Sequence, residues 1–242
     1  MNIALIGYGK MGKEVERIAL DRNHNVLFKI DNPDLWPSAE ELAVVNVAIE
    51  FSMPPAAFRN ILKCFDHSLP VVSGTTGWND QLHEIQQICR ERNQAFFYAP
   101  NFSLGMNIFF EINKRLAQLM NDREQYDVSI EEIHHAAKLD SPSGTAVALA
   151  DQIIGQLGRK TKWINQQTAK SEELYIRSVR TGLVPGTHLV SYNSDYDTVE
   201  IRHEAKNRRG FALGAVLAAE WIKDKKGVFG MHDLMFGRCP QQ

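Results

Sequence analysis

The feature that most constrains the fold is a glycine-rich turn directly after a short apolar run near the start of the chain. The run, residues 2–6, is typical of a strand that is buried on both faces, and the turn reads Gly7-Tyr8-Gly9-Lys10-Met11-Gly12. A helical pattern follows to about Asp21. Such glycines allow a tight turn, close approach of a pyrophosphate and close packing of helix on strand. The pattern predicts a dinucleotide site; a purely structural turn is the alternative.

A carboxylate follows the next predicted strand at an informative distance. The strand covers residues 24–30 and ends at Asp31, nineteen residues after Gly12. At this spacing an acidic side chain binds a coenzyme ribose, so the 2′-phosphate of NADPH would meet a like charge. Asn32 follows and cannot neutralise a phosphate, although Lys10 or Lys29 could compensate. We therefore expect NADH to be used at least as well as NADPH.

Strands and helices alternate through the first hundred residues. Strands are predicted at 44–51, 71–72 and 94–98, with helices between them, which is typical of a parallel sheet with helices on both faces. Two polar or glycine-containing segments follow strand ends, where open α/β sheets bind ligands. Their candidate coenzyme-binding residues, added to Gly7, Gly9, Lys10, Met11, Gly12 and Asp31, are Gly74, Thr75, Thr76, Ala99, Pro100, Asn101 and Phe102.

The periodicity changes in the second half of the chain. From Tyr126 the apolar residues recur at every second position, which predicts a mixed or antiparallel sheet, and a helix over residues 146–157 packs on it. A helical pattern returns at residues 211–222. The predicted fold class is α/β. A Rossmann-type domain comprises residues 1–104 and 210–242, and an α+β substrate and oligomerisation domain comprises residues 105–209.

A cluster of ionisable residues precedes the helix predicted in this second domain. His134, His135 and Lys138 follow a strand-like run, and Ser143, Gly144 and Thr145 then open the helix. A helix N-terminus offers unpaired N–H groups to an anion, and histidine exchanges protons near neutral pH. The segment is interpreted as an anion site with proton donors beside it. A surface turn with a capped helix is the alternative.

Composition excludes several classes of partner. The chain has 242 residues and a net charge of −2, with acidic and basic residues mixed along it, so neither nucleic acid nor a membrane surface is an expected partner. No apolar run approaches the roughly 20 residues that span a bilayer. Cys64, Cys89 and Cys239 are few and far apart, which favours free thiols in the cytoplasm over a disulfide framework or a metal site.

Residues 134–146 resemble the signature His-His-x-x-Lys-x-Asp-x-Pro-Ser-Gly-Thr-Ala of the dihydrodipicolinate reductases, also called 4-hydroxy-tetrahydrodipicolinate reductases. Gly74 to Gly77 and Ala99 to Gly105 are similar to shorter motifs of that family. The resemblance implies an NAD(P)H-dependent oxidoreductase of lysine and diaminopimelate biosynthesis that assembles as a homotetramer. It also implies proton transfer by His134 and Lys138, and substrate contacts by His135, Gly144 and Thr145.

Two other functions are compatible with a Rossmann-type half. The first is another two-domain nicotinamide reductase, such as an amino-acid or semialdehyde dehydrogenase, which would oxidise the coenzyme with an aldehyde. The second is a nucleotide-sensing module, which would bind NADH without turnover and would be indifferent to changes at His134. The presence of both His134 and Lys138 makes the second alternative the weaker one.

Overall fold

A computed structural model describes residues 1–32, 35–168 and 170–237. The chain divides into two compact units: Met1–Leu104 with the chain from Arg208 onward, and Gly105–Asn207. Cys239, expected to be a free thiol, lies outside the described residues, as does the end of the predicted range 210–242. Cys64 and Cys89 are buried free thiols. None of the described helices is long and apolar enough to cross a membrane.

The two units contain the following strands and helices, numbered in chain order. The strands are β1 (Asn2–Ile6), β2 (Asn25–Ile30), β3 (Val47–Glu50), β4 (Val71–Ser73), β5 (Ala95–Tyr98), β6 (Asp127–His134), β7 (Lys162–Ile164), β8 (Glu173–Arg180), β9 (Thr187–Asn193), β10 (Thr198–Glu204) and β11 (Gly227–Phe229). The helices are α1 (Lys10–Asp21), α2 (Ala39–Leu42), α3 (Pro54–Asp66), α4 (Leu82–Glu91), α5 (Leu104–Met120), α6 (Gly144–Ile154), α7 (Arg209–Ile222) and α8 (Met231–Phe236).

The first unit is built on a six-stranded parallel sheet in the order β11-β5-β4-β3-β1-β2. Alternate residues of β1 enter different cores. Ile3 and Leu5 pack with apolar residues of α1 and α7, whereas Ala4 and Ile6 pack with those of α3 and α4. A strand covered on both faces needs apolar residues at every position, which explains the continuous apolar run at the start of the chain.

The second unit contains a five-stranded mixed sheet in the order β10-β9-β6-β8-β7. Its central strand β6 is parallel to β8 and antiparallel to β9. Val128 and Ile130 of β6 are buried with Leu149 and Ile153 of α6. Because only one face meets that core, burial alternates along β6, as the two-residue period predicted. The predicted fold class, a parallel-sheet domain followed by a mixed-sheet domain, is confirmed.

Several short elements were not predicted from the sequence. They are α2, β7, β11 and α8, of which both strands have only three residues. The strand β11 pairs with β5 at the edge of the first sheet. Helix α6 begins at Gly144, two residues before the predicted start, because the Ser143 side chain caps it. Elements this short carry too few residues for a periodic pattern.

Candidate active site

The three glycines of the first turn have different surroundings. Gly7 has a φ of 88°, and a Cβ there would lie 2.2 Å from the carbonyl oxygen of Phe51. A Cβ on Gly12 would lie 2.3 Å from the carbonyl oxygen of Gly7, whereas a Cβ on Gly9 would meet no described atom within 4 Å. Gly7 is therefore required by the tight turn, and Gly12 by the close packing of the helix on the turn. Gly9 leaves open space before the N-terminus of α1, where a pyrophosphate could bind.

A cleft of about 370 Å³ lies beside this turn in the first unit. Gly7, Gly9, Asp31 and Asn32 contribute to its wall. The Oδ1 atom of Asp31 accepts a hydrogen bond of 2.9 Å from the Tyr8 N–H, which fixes the carboxylate against the glycine turn. The exposed carboxylate at the wall of this cleft is suited to a ribose with two hydroxyl groups.

Lys29, one of the two possible partners for a coenzyme phosphate, is bonded inside the first unit. Its Nζ lies 2.6 Å from Oε1 of Glu16 and 4.8 Å from the centre of the Tyr8 ring. The Tyr8 hydroxyl donates to the same glutamate through a short hydrogen bond. The hydrogen bonds from Lys29 and Tyr8 lower the pKa of Glu16. Lys29 is thus ion-paired with Glu16 of α1, and exposed Lys10 has no acidic partner among the described residues.

A fully buried carboxylate organises the loop that contains Gly74, Thr75 and Thr76. Glu50, the last residue of β3, accepts hydrogen bonds from the hydroxyls of Ser73 (2.6 Å) and Thr75 (2.8 Å) and from the N–H of Ser52 (2.9 Å). The Ser52 hydroxyl donates to it as well. Each of these donors is uncharged. Glu50 therefore fixes the two loops after β3 and β4 relative to each other.

The segment after β5 combines buried and exposed candidates. Ala99 and Phe102 are buried, and the Phe102 ring lies 5.7 Å from Phe51 and 5.8 Å from Phe97, centroid to centroid. Asn101 accepts a hydrogen bond from the Ser103 N–H, and Pro100 is exposed. Because the Phe102 ring is packed in the core, Phe102 can contact a ligand through its backbone but not through its ring.

In the second unit, His134 ends β6 with one ring nitrogen bonded. It is 8% exposed, and Nδ1 forms a short hydrogen bond with a carboxylate oxygen of Glu132. Two residues apart on a strand, the two side chains share a face. An ionised carboxylate can only accept, so Nδ1 carries the proton and Nε2 is the nitrogen that can exchange one with a ligand.

The Glu132 carboxylate has a second ionic partner. Arg180 is the register partner of His134 on β8, and its Nη2 lies 2.7 Å from Oε1 of Glu132. The same nitrogen donates to the Asp140 carbonyl at 2.6 Å. Burial would raise the pKa of Glu132, but the hydrogen bonds from His134 and Arg180 lower it to about 2. Glu132 is therefore ionised throughout the neutral range.

A second histidine packs edge-on against His134. His188 of β9 lies 5.2 Å from it, centroid to centroid, and burial, with a smaller effect of His134, lowers the pKa of His188 to about 3. Its Nε2 lies 3.3 Å from Oγ of Ser143. Glu132, His134 and His188 are close enough to surround a metal ion, but His134 and Arg180 already occupy the two oxygens of Glu132. Glu132, His134 and Arg180 therefore form an ionic network, and His188 packs against it in its uncharged form.

The N-terminus of α6 lies next in the chain. The Oγ of Ser143 accepts from the Ala146 N–H, and the first helical hydrogen bond runs from the Val147 N–H to the Ser143 carbonyl. The N–H groups of Gly144 and Thr145 precede that bond, and a Cβ on Gly144 would meet no described atom within 4 Å. This open helix end is suited to a carboxylate.

The remaining candidates lie in the loop between β6 and α6. Lys138 is bonded to both carboxylate oxygens of Asp140, at 2.7 and 2.8 Å, and its N–H donates to the carbonyl of His135. The Lys138 and Asp140 pair lowers the pKa of Asp140. His135 and Lys138 are partly exposed, so both can contact a ligand.

Sequence reasoning brought together His134, Lys138 and the helix start, but it missed Glu50, Glu132, Arg180 and His188. One signal was available: Glu132 lies two residues before His134 in an alternating run, which places both on one face of a strand. For the other residues no local signal exists, because their partners lie on different strands and depend on the register.

Comparisons with known proteins agree along the whole chain. Residues 1–102 match the family model described as dihydrodipicolinate reductase, N-terminus, and residues 105–235 match dihydrodipicolinate reductase, C-terminus. A 4-hydroxy-tetrahydrodipicolinate reductase of Christiangramia forsetii is 52% identical over 97% of this chain and 98% of its own. One of Methanopyrus kandleri is 35% identical over 79% of this chain and 72% of its own.

Solved structures share the fold at lower identity. A dipicolinate-bound dihydrodipicolinate reductase from Paenisporosarcina sp. TG-14 superimposes with a TM-score of 0.75 and 23% identity, covering 97% of this chain and 99% of that one. A probable dehydrogenase from Thermotoga maritima gives a TM-score of 0.55 at 9% identity, over 98% of this chain and 93% of that one. At these identities the likeness concerns the fold alone.

Proposed function

The chain belongs to the dihydrodipicolinate reductase family, and on that premise we propose that it reduces 4-hydroxy-tetrahydrodipicolinate with a reduced nicotinamide coenzyme, in lysine and diaminopimelate biosynthesis. It is an oxidoreductase. The observation that carries the proposal is the segment 132–145, which supplies a proton donor, a lysine and an open helix N-terminus within a few residues. The reduction of a cyclic dicarboxylate requires all three, because the reaction takes up a proton and the bound substrate carries two negative charges.

His134 and Lys138 are the catalytic residues in this proposal. Hydride addition to a conjugated imine builds up negative charge that a proton must neutralise. Nε2 of His134 is the ring nitrogen available for that proton, because Nδ1 is bonded to Glu132. Lys138 supplies positive charge from the loop that follows β6 and is held by Asp140.

The substrate carboxylates are assigned to the start of α6. Gly144 and Thr145 offer N–H groups, and Thr145 adds a hydroxyl, while partly exposed His135 contributes a further polar contact. Ser143 is buried, with its N–H bonded to Glu132 and its Oγ to the Ala146 N–H, so it shapes the site. Removing water from a dianion requires fixed positive groups and dipoles of this kind.

The first unit would hold the coenzyme, which supplies the hydride when bound. The pyrophosphate is assigned to the turn of Gly7, Gly9 and Gly12 with Lys10 and Met11, and the ribose to Asp31. Loops after β4 and β5 complete the site. Their assigned residues are Gly74, Thr75, Thr76, Ala99, Pro100, Asn101 and Phe102.

We propose that NADH is used at least as well as NADPH. Asp31 lies at the cleft wall as an acceptor, and Lys29 is paired with Glu16, whereas Lys10 has no acidic partner in the part of the chain that the structure describes. The measurement is kcat/KM for both coenzymes at one ionic strength. A tenfold or greater preference for NADPH would show that Lys10 outweighs Asp31.

The assembly and the compartment are proposals as well. We expect a cytoplasmic homotetramer that is joined through the sheet of the second unit, in keeping with the family resemblance and with the buried free thiols Cys64 and Cys89. Sedimentation equilibrium of the purified protein tests the tetramer. A single species with the mass of one chain would contradict it.

A coupled assay tests the proposed reaction directly. Dihydrodipicolinate synthase generates its unstable product in the cuvette, the purified protein is added, and coenzyme oxidation is followed at the nicotinamide absorbance. Oxidation that requires the synthase and both of its substrates is the expected result. Oxidation with simple aldehydes but not with fresh synthase product would instead identify another two-domain reductase.

A further inference from the structure

We propose that Glu132 and Arg180 are positioning residues that hold both proton-transfer groups of the second unit in place, an inference that rests on the proposed function of His134 and Lys138. Glu132 is fully buried, although a carboxylate is costly to bury. It lies at the meeting point of three elements. Three contacts of this pair lead to a residue or loop of the proposed site.

The first contact fixes the proton donor. Glu132 accepts from Nδ1 of His134, which selects one tautomer and one ring orientation. Nε2 then points away from the carboxylate. A Cβ on Gly186 would lie 3.0 Å from this Nε2, so glycine at that position keeps a side chain off the reactive nitrogen. The donor is therefore oriented by Glu132 and left uncovered by Gly186.

The second contact extends to the lysine loop. Nη2 of Arg180 bonds both the Glu132 carboxylate and the Asp140 carbonyl, and the Asp140 side chain in turn bonds Nζ of Lys138. Arg180 is mostly shielded from solvent, with 18% of its side chain exposed. A single guanidinium thus links the carboxylate behind His134 to the loop that carries Lys138.

The third contact reaches the assigned carboxylate site. Oε1 of Glu132 accepts from the Ser143 N–H at 3.3 Å, immediately before the start of α6. Proton donor, lysine loop and helix N-terminus therefore all connect to one buried ion pair. Removing the charge of Glu132 would loosen all three at once, whereas a residue with only a packing role would affect stability alone.

The pH response depends on every charged group near His134. Glu132 and Arg180 are bonded to each other, and Lys138 and Asp140 form a pair in the adjoining loop. His188 packs on the ring, and His203 of β10 acts on His188. Burial lowers the pKa of both His188 and His203, which favours their neutral forms, so neither adds a positive charge near His134. Glu132 is the group whose neutralisation should move the pH profile.

The experiment compares Glu132→Gln with Glu131→Gln. Glu131 is the next residue of β6 and bonds Arg177 at 3.0 Å on the outer side of the strand, so its variant controls for charge removal. We expect Glu132→Gln to lower kcat/KM at least about 100-fold, the lower range for a positioned general acid, with unchanged NADH binding. The alkaline limb of its profile should move to lower pH, because a neutral amide no longer stabilises the imidazolium. Glu131→Gln should resemble the wild type.

Arg180→Gln, with Arg177→Gln as its control, tests the other half of the pair. It should lower kcat and raise KM for the dicarboxylate together, because both the carboxylate and the loop of Asp140 lose their anchor. If the two residues act as one unit, the Glu132→Gln/Arg180→Gln double variant loses little more than Glu132→Gln alone. Losses that multiply would overturn the shared role.

A measurement on the unmodified protein remains decisive if these variants do not fold. In 15N-histidine NMR, the His134 ring, identified by its absence in His134→Gln, should be protonated at Nδ1 with a strongly deshielded proton. An unprotonated Nδ1, or Glu132→Gln with the turnover and pH profile of Glu131→Gln, would overturn the proposal. Failure of the wild type in the synthase-coupled assay would instead refute the proposed function.

Discussion

Each unit contains one fully buried glutamate in a strand of its central sheet, and the two have opposite environments. Among the described residues, the donors to Glu50 of the first unit are all uncharged: they are hydroxyl and N–H groups of Ser52, Ser73 and Thr75. Glu132 of the second unit bonds an imidazole and a guanidinium. Uncharged donors can fix a loop but cannot exchange protons, whereas the partners of Glu132 include one that can.

This difference matches the division of work proposed for the units. A coenzyme site needs a rigid loop of fixed dipoles, and Glu50 holds the loops after β3 and β4 without a titrating partner. A proton-transfer site needs an acid with a defined tautomer, and Glu132 provides that for His134. Two carboxylates with the same burial would thus serve rigidity in one unit and, on our proposal, proton transfer in the other.

The largest expected effect is on turnover, from Lys138→Met. The variant removes the positive charge of the loop that follows His134, and we expect kcat to fall about 1,000-fold, which corresponds to about 4 kcal/mol of barrier, with NADH binding nearly unchanged. Stopped-flow turnover and NADH fluorescence titration measure both. Lys162→Met, at an exposed lysine of the same unit, is the control. Near-normal turnover in a folded Lys138→Met protein would contradict the assignment of proton transfer to the second unit.

Glu50→Leu should reveal the structural role of the other carboxylate. Hydroxyl and N–H groups of Ser52, Ser73 and Thr75 would lose their common acceptor, which costs about 3 kcal/mol of unfolding free energy. NADH binding should weaken as the loop loosens, while the pH profile of turnover keeps its shape. Urea unfolding provides the measurement, with exposed Glu84→Leu as control. A shifted pH profile would show that Glu50 takes part in proton transfer.

As the pH falls, the second unit should lose stability before the first, because protonation of His188 favours the unfolded chain. Its pKa is about 3 in the folded protein against an ordinary 6.5, so the unfolded chain binds the extra proton. Stability is therefore complete above pH 6.5 and declines as the pH falls toward 3, by at most about 1.4 kcal/mol per pH unit. Glu132, with its lowered pKa, stabilises the fold fully above its ordinary pKa of 4.5 and adds to the loss of stability only below that pH.

Urea unfolding between pH 6.5 and pH 5 isolates the histidine. The wild type should lose about 2 kcal/mol over this interval, and His188→Gln should lose clearly less. His67→Gln, at an exposed histidine of the first unit, should follow the wild type. A wild-type stability that is flat over the interval would mean that His188 is not held in its neutral form.

The smallest expected effect concerns the substrate carboxylate. Thr145→Val removes one hydroxyl at the start of α6 and should raise KM for the dicarboxylate about tenfold, equal to about 1.4 kcal/mol, with kcat nearly unchanged. Thr198→Val, at an exposed threonine of β10, is the matched control. An unchanged KM in Thr145→Val would place the carboxylates elsewhere in the second unit.

The fold class followed from the sequence because its signals are local. Continuous apolar runs predicted strands covered on both faces, and alternation after Tyr126 predicted a mixed or antiparallel sheet; strands of the first kind and a mixed sheet are observed. The glycine turn and residues 134–145 were found for the same reason, since each lies within one turn or one loop. The three-residue strands β7 and β11 were not predicted, because they are strands by virtue of their pairing with β8 and β5 and not of their composition.

The sequence by itself determined which residues could bind a coenzyme phosphate and which could transfer a proton. Only the tertiary structure decided their states: Lys29 is neutralised by Glu16, and His134 receives its tautomer from Glu132. Arg180 reaches Glu132 across a separation of 48 residues because β6 and β8 are neighbours in one register. Periodicity specifies which face of a strand is buried, but the partner of a buried charge depends on which strands are adjacent, and that is decided by packing of the whole unit.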